Sequence, residues 1–186
     1  MIEVSAETIE RVEALLAGIP RGVERTFSNA LNRGLSKVKT GASKKVREVY
    51  TVQASAINEA TNTKIQRTSM GSLAGYVSFS GYKIPLYKFK VTSKAPGIKK
   101  KVVAAVKKGS GTPFEHAFIA QMENGHIGVF ERETSKRFPI EEKMGLAMAQ
   151  MVGNLNVIEE LEKEAQKTVN ERAIHEIDRL LNGYGG

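Results

Sequence analysis

The chain has 186 residues, 41% hydrophobic and 26% charged, a balance that fits one folded domain with a real core and argues against wholesale disorder. It has no cysteine, which excludes disulfides, thiolate metal sites and cysteine nucleophiles, and it has no basic-then-apolar leader and no apolar run long enough to span a bilayer, so neither classical export nor membrane insertion is expected. A formal net charge of +8 and a pI near 9.6 point towards an acidic partner, either nucleic acid or an acidic protein face.

The first predicted element is a helix with Ser5 as N-cap and Val4 stapled onto Ile9, burying Ile9, Val12, Leu15 and Leu16. Gly18 should stop it, and Pro20 is expected to open a second helix at its first position. In that helix Val23, Phe27, Ala30, Leu31, Leu35, Val38, Ala42, Val46 and Val49 recur at spacings of three and four. Gly34 and Gly41 lie inside it and each weakens a helix by roughly 1 kcal/mol relative to alanine, so packing has to hold it straight. Residues 53–60 read as a further short helix.

A period-two pattern begins at Thr63. Leu73, Gly75, Val77 and Phe79 alternate with Ala74, Tyr76, Ser78 and Ser80, which predicts a hairpin turning near Gly71. Residues 84–89 are extended but irregular, because Pro85 cannot donate to a central ladder. Residues 99–108 read as a strand bracketed by lysines, which also discourage edge-to-edge pairing.

The densest strand and turn signals lie in residues 111–140. Ala117-Phe118-Ile119-Ala120 and Gly128-Val129-Phe130 flank Asn124-Gly125, a dipeptide that tolerates positive φ at both positions of a tight turn; this predicts a hairpin with Phe118 near Phe130. Pro139 biases Phe138 towards an extended conformation, so a third extended piece should follow. After an ambiguous apolar stretch at 144–152, Asn156 with Glu159 resembles a capping box. A stripe of Ile158, Leu161, Ala165, Val169, Ala173, Ile177 and Leu180 then runs through a closing helix to Asn182-Gly183, with Tyr184-Gly185-Gly186 as its tail. The expected fold is α+β: an antiparallel sheet of about four to six strands framed by a long N-terminal and a long C-terminal helix. The expected organisation is a single domain over 1–186, helical over 1–60, β-rich over 61–140, and helical again over 154–182.

Catalytic signals are weak. His116, His126 and His175 are the only histidines, and none is spaced to share a metal with another; His116 and Glu115 are adjacent, so on an extended chain they point to opposite faces. His126 reads as a turn residue. Gly109-Ser110-Gly111-Thr112-Pro113 lacks the Gly-Lys-Ser/Thr ending that grips phosphates and reads as a loop. No nucleophile elbow or paired-acid arrangement occurs, so no catalytic residue, metal or cofactor is expected.

Charge is more informative. Residues 20–50 hold eight basic side chains, among them Arg33, Lys37, Lys44 and Lys45, against two acidic ones. Residues 83–108 hold nine lysines and no acid: Lys83, Lys88, Lys90, Lys94, Lys99, Lys100, Lys101, Lys107 and Lys108. Residues 159–179 hold seven acids and four bases, and read as a solvated or partner-facing surface. The basic segments are therefore candidates for contact with duplex phosphate or with an acidic subunit face, the alternative being a solvated surface. Lysine as a point charge suits sequence-independent contact, and no base-reading motif accompanies it.

Ala117 to Ala120, Gly125-His126-Ile127-Gly128-Val129-Phe130 and Arg137-Phe138-Pro139-Ile140 together resemble the central block of the phage minor tail protein Z family, the tail completion proteins of long-tailed phages and prophages. Ala30-Leu31-Asn32-Arg33-Gly34, Tyr50, Ile84-Pro85-Leu86 with Phe89, and Gln150-Met151-Val152-Gly153 are similar to further family segments in matching order. The resemblance implies a non-enzymatic virion component acting at the head–tail junction as part of a homo-oligomeric ring around the DNA path. It implies tail terminator and tail tube proteins as partners, with the head–tail connector as a further candidate, and assembly in the bacterial host cytoplasm. The alternative is a small basic protein that binds nucleic acid without regard to sequence.

Overall fold

The computed structural model describes residues 6–97 and 101–183. Five α-helices are present among them: α1 (Ala6–Leu15), α2 (Gly22–Val49), α3 (Ala54–Ala60), α4 (Met148–Val152) and α5 (Leu155–Leu181). Eight strands accompany them: β1 (Thr61–Gln66), β2 (Tyr76–Gly81), β3 (Lys90–Val91), β4 (Val102–Ala105), β5 (Thr112–Phe114), β6 (Ala117–Gln121), β7 (Ile127–Arg132) and β8 (Ile140–Glu142). The class is α+β, and the strands are divided among three small antiparallel sheets, ordered β1-β2, β3-β4-β5 and β6-β7-β8. The expected cap at Ser5 with its Val4 staple, Lys99 and Lys100, and the closing Tyr184-Gly185-Gly186 lie outside the described residues.

The chain forms two compact units. The first comprises residues up to 42, 63–78 and from 158 onward. Its α1 ends before Gly18, whose φ of 103° is the left-handed conformation that closes a helix. α2 opens at Gly22 and not at Pro20, because Arg21 has a φ of 55° and breaks the helical path there. Val12, Leu16, Phe27 and Leu180 form one buried cluster, with Ile9, Ile19, Val23 and Ile177 packed on it.

Further along, α2 and α5 pair antiparallel: Asn29 meets Glu176, Gly34 meets Val169, Lys37 meets Glu164, and Gly41 meets Leu161. Both helix glycines face the partner helix: a Cβ on Gly34 would lie 2.6 Å from Val169 Cγ2, and one on Gly41 would lie 3.7 Å from Leu161 Cδ2. The segment after β1 is tied to α2 by polar groups. Asn32 donates from Nδ2 to the Thr68 carbonyl at 3.0 Å and accepts from the Thr68 amide at 2.9 Å, while Thr68 Oγ1 donates to the Ser28 carbonyl at 3.1 Å. β2 begins at Tyr76, later than the alternation from Leu73 implied, and Val77 and Phe79 are its half-buried residues.

The second unit comprises residues 43–62 and 79–157. Leu86, Val91, Val102, Ala104, Ala117, Ile119 and Val129 form its core, with every second residue of β4 and β6 turned inward. Pro85 precedes a single 3-10 turn at Leu86–Lys88, and Leu86 and Gly145 complete the segment's backbone bonding by donating to Lys143 and Ile84 respectively.

The central hairpin is present with Phe118 opposite Phe130 and ring centroids 6.3 Å apart. Its turn is longer than the tight reversal expected. Met122 N–H donates to the His126 carbonyl at 2.7 Å and Gly125 N–H to the Met122 carbonyl at 2.9 Å, so three residues form the loop. Only Gly125, at φ 82°, takes positive φ there, which is the arrangement of a type I turn followed by a left-handed residue. β8 adds to β7 after the Phe138-Pro139 bond, which is cis. α5 is capped by Asn154 and not by Asn156: Asn154 Oδ1 accepts from the Asn156 amide at 3.1 Å, the second residue of the helix.

Candidate functional site

The sheet β3-β4-β5 presents the lysine-rich segment. Lys90 lies opposite Ala105, and Val91 opposite Ala104, so β3 sends Val91 into the core and Lys90 to solvent. Backbone bonds from Thr51 to Val106 (3.0 Å) and from Lys108 to Val49 (2.9 Å) hold the end of α2 against the segment after β4. The result is an open cleft of about 740 Å³ whose lining includes Lys90, Lys108, Thr51, Thr92 and Ser110. Its hydroxyls are already engaged: Thr92 Oγ1 accepts from the Val103 amide at 2.6 Å and donates to the Val103 carbonyl at 2.9 Å, and Thr51 Oγ1 accepts from the Lys90 amide at 3.0 Å. The two ammonium groups make no ion pair among the described residues.

The other lysines of this segment are in different situations. Lys94 is tied down: its Nζ donates to the carbonyls of Tyr87 and Phe89 and sits 4.4 Å from the Tyr87 ring centroid. Burial, and secondarily the neighbouring Lys88, pushes its pKa down from the ordinary lysine value. Lys101 pairs with Glu115, and the hydrogen bond from Lys101 holds that carboxyl below its usual value. Lys107 Nζ lies 5.9 Å from the Tyr50 ring centroid. Lys83 is exposed and Lys88 half-buried. On α2, Lys37 pairs with Glu164 at 3.7 Å and Lys45 with Glu48 at 3.5 Å, while Lys44 and Arg33 are exposed.

Arg33 belongs to a second basic locus, which the charge counts along the sequence did not reveal. Asn29, Asn32, Arg33, Arg67, Arg172 and Arg179 line an open groove of about 530 Å³. Beneath it lies Glu176, fully buried, paired with Arg172 and Arg179 and accepting from Asn29 Nδ2 at 3.0 Å. Burial alone would raise the Glu176 pKa; the Asn29 hydrogen bond, then the charges of Arg172 and Arg179, outweigh it and hold the carboxyl below its ordinary value. The acids of α5 read from sequence as a solvated or partner-facing surface, and Glu176 departs from that reading.

The histidines do not converge. His126 Nε2 lies 2.8 Å from Glu142 Oε1 and its ring meets Phe130 edge-on, a packing role beside the turn. His116 and His175 are exposed. Among the described residues no three His, Asp or Glu side chains are grouped to hold a metal ion, and no helix is long and apolar enough to cross a membrane.

Small antiparallel sheets, a close helix pair and two cationic loci characterise this α+β protein. The family model for Prophage minor tail protein Z (GPZ) matches residues 7–184, nearly the whole chain, and the chain belongs to that family. Membership gives it a structural role in a phage tail. No curated protein and no solved structure matches the chain.

Proposed function

We propose that the chain is a tail completion subunit that acts where tail meets head, as part of a homo-oligomeric ring around the DNA path. The family match over residues 7–184 carries this reading. Two kinds of surface support it. Tyr82 at 84% exposure and Leu155 at 73% are large apolar side chains left uncovered in the single chain, and packing on neighbouring subunits would cover them. Lys90 and Lys108, which make no ion pair among the described residues, suit a phosphate backbone or the acidic face of an adjoining ring. The test is genetic: deletion of the gene from its phage should leave heads and tails that fail to yield infectious particles, and complementation in trans should restore the titre. An undiminished titre from the deletion would defeat the reading.

The Lys90–Lys108 cleft also favours a second reading, a basic protein that binds nucleic acid by itself without regard to sequence. Such a protein would retain duplex affinity as an isolated chain, falling steeply with salt. A tail subunit needs no such affinity alone.

A further inference from the structure

We propose that the arginine groove beside Glu176 binds carboxylate side chains of an acidic segment on a partner protein. The groove presents four guanidinium groups against one carboxylate, and that carboxylate is buried beneath them. Arg172 and Arg179 already hold Glu176, with Arg179 Nη2 donating to Oε2 at 2.8 Å, so the local geometry is one that grips a carboxylate. Arg33 and Arg67 are not so consumed. Among the described residues Arg33, which is exposed, makes no ion pair, and Arg67 donates to the Ser36 hydroxyl at 3.3 Å without pairing with a carboxylate.

Asn29 and Asn32 are bonded to Glu176 and to the Thr68 backbone, which fixes the groove's floor before any ligand arrives. Planar guanidinium forks in a fixed frame suit bidentate recognition of carboxylates. The lining contains no aromatic ring on which unpaired bases could stack, so a single-stranded nucleic acid finds no platform here. The charge of this groove is carried by four arginines, where the other cleft offers two lysines; guanidinium forks also fit phosphate, so a competing duplex is the arm that separates the two anions. The inference stands on the groove alone and does not require the tail reading.

The test uses the full chain and a fluorescein-labelled oligoglutamate of about ten residues, followed by anisotropy, with a DNA duplex of similar charge as competitor. Wild type should bind the oligoglutamate, and Arg33→Ala with Arg67→Ala should weaken binding at least tenfold while leaving the thermal midpoint unchanged. Arg33→Lys with Arg67→Lys should recover only part of the affinity, since charge returns without the fork. The duplex should bind equally well to wild type and to the alanine pair. No oligoglutamate binding by wild type, an alanine pair within twofold of it, full recovery by the lysine pair, or duplex binding that depends on Arg33 and Arg67 would each overturn the proposal.

Discussion

Gly34 on α2 faces Val169 on α5 so closely that a Cβ added to the glycine would lie 2.6 Å from Val169 Cγ2. In an isolated helix Gly34→Ala would gain about 1 kcal/mol from propensity. Here the methyl has to displace a buried valine, and overpacking costs about 1–3 kcal/mol. The packing cost should win, lowering the thermal midpoint by a few degrees at about 2–4 °C per kcal/mol. Val169→Ala should rescue the variant, with a coupling energy above about 1 kcal/mol in a double-mutant cycle. Strictly additive effects would show that the helices do not meet there.

Glu176 should make stability sensitive to acid. Its folded pKa lies below the ordinary value of 4.5, so the unfolded chain binds the proton more readily. The stabilisation is therefore fully present above that ordinary value and is lost as pH falls through the folded one. Glu176→Gln keeps the shape but leaves Arg172 and Arg179 without their counter-charge; it should cost about 1–3 kcal/mol at neutral pH. It should also flatten the fall in stability below about pH 5. Denaturant titrations of both proteins across that range are the measurement, and parallel pH profiles would remove Glu176 from the account.

Glu176 also shows where reading the sequence succeeds and where it stops. The α5 stripe was legible because Leu161, Ala165, Val169 and Leu180 recur at helical spacing, and all four are buried. Glu176 falls in the same register, seven residues after Val169 and four before Leu180, but a charged residue scores as surface. The available signal was its pair of arginines at i−4 and i+3, which reads as a carboxylate brought inward with its counter-charges. The Phe118–Phe130 hairpin was legible from two apolar runs around a turn dipeptide, whereas the loop length was not, since Asn-Gly serves both two- and three-residue turns. The lysine counts located a basic segment but could not separate Lys94, held by backbone carbonyls, from Lys90, because that depends on how Tyr87 and Phe89 fold back.

That separation gives a contrast that can be measured. Lys90→Ala with Lys108→Ala should leave stability nearly unchanged and weaken any duplex binding equally for unrelated sequences. If each lysine meets one phosphate, the slope of log K against log salt should become shallower by about 1.8. Lys94→Ala should do the opposite, lowering the thermal midpoint because two backbone carbonyls lose their donor, with the salt slope unchanged. A stability loss confined to the Lys90 and Lys108 pair, or a salt-slope change from Lys94→Ala, would reverse the assignment.

The turn of the central hairpin offers a test of backbone conformation independent of charge. Gly125 has a φ of 82°, and its amide closes the loop onto the Met122 carbonyl, so a side chain there must adopt a left-handed conformation. A Cβ at this position would meet nothing nearer than Gln121 Nε2 at 4.0 Å, so any cost comes from the backbone and not from crowding. Gly125→Ala should therefore destabilise by about 1–2 kcal/mol. Gly125→Asn should cost less, because asparagine visits this region more readily. Equal losses for the two variants in chemical denaturation would mean that the loop does not hold a left-handed residue at this position.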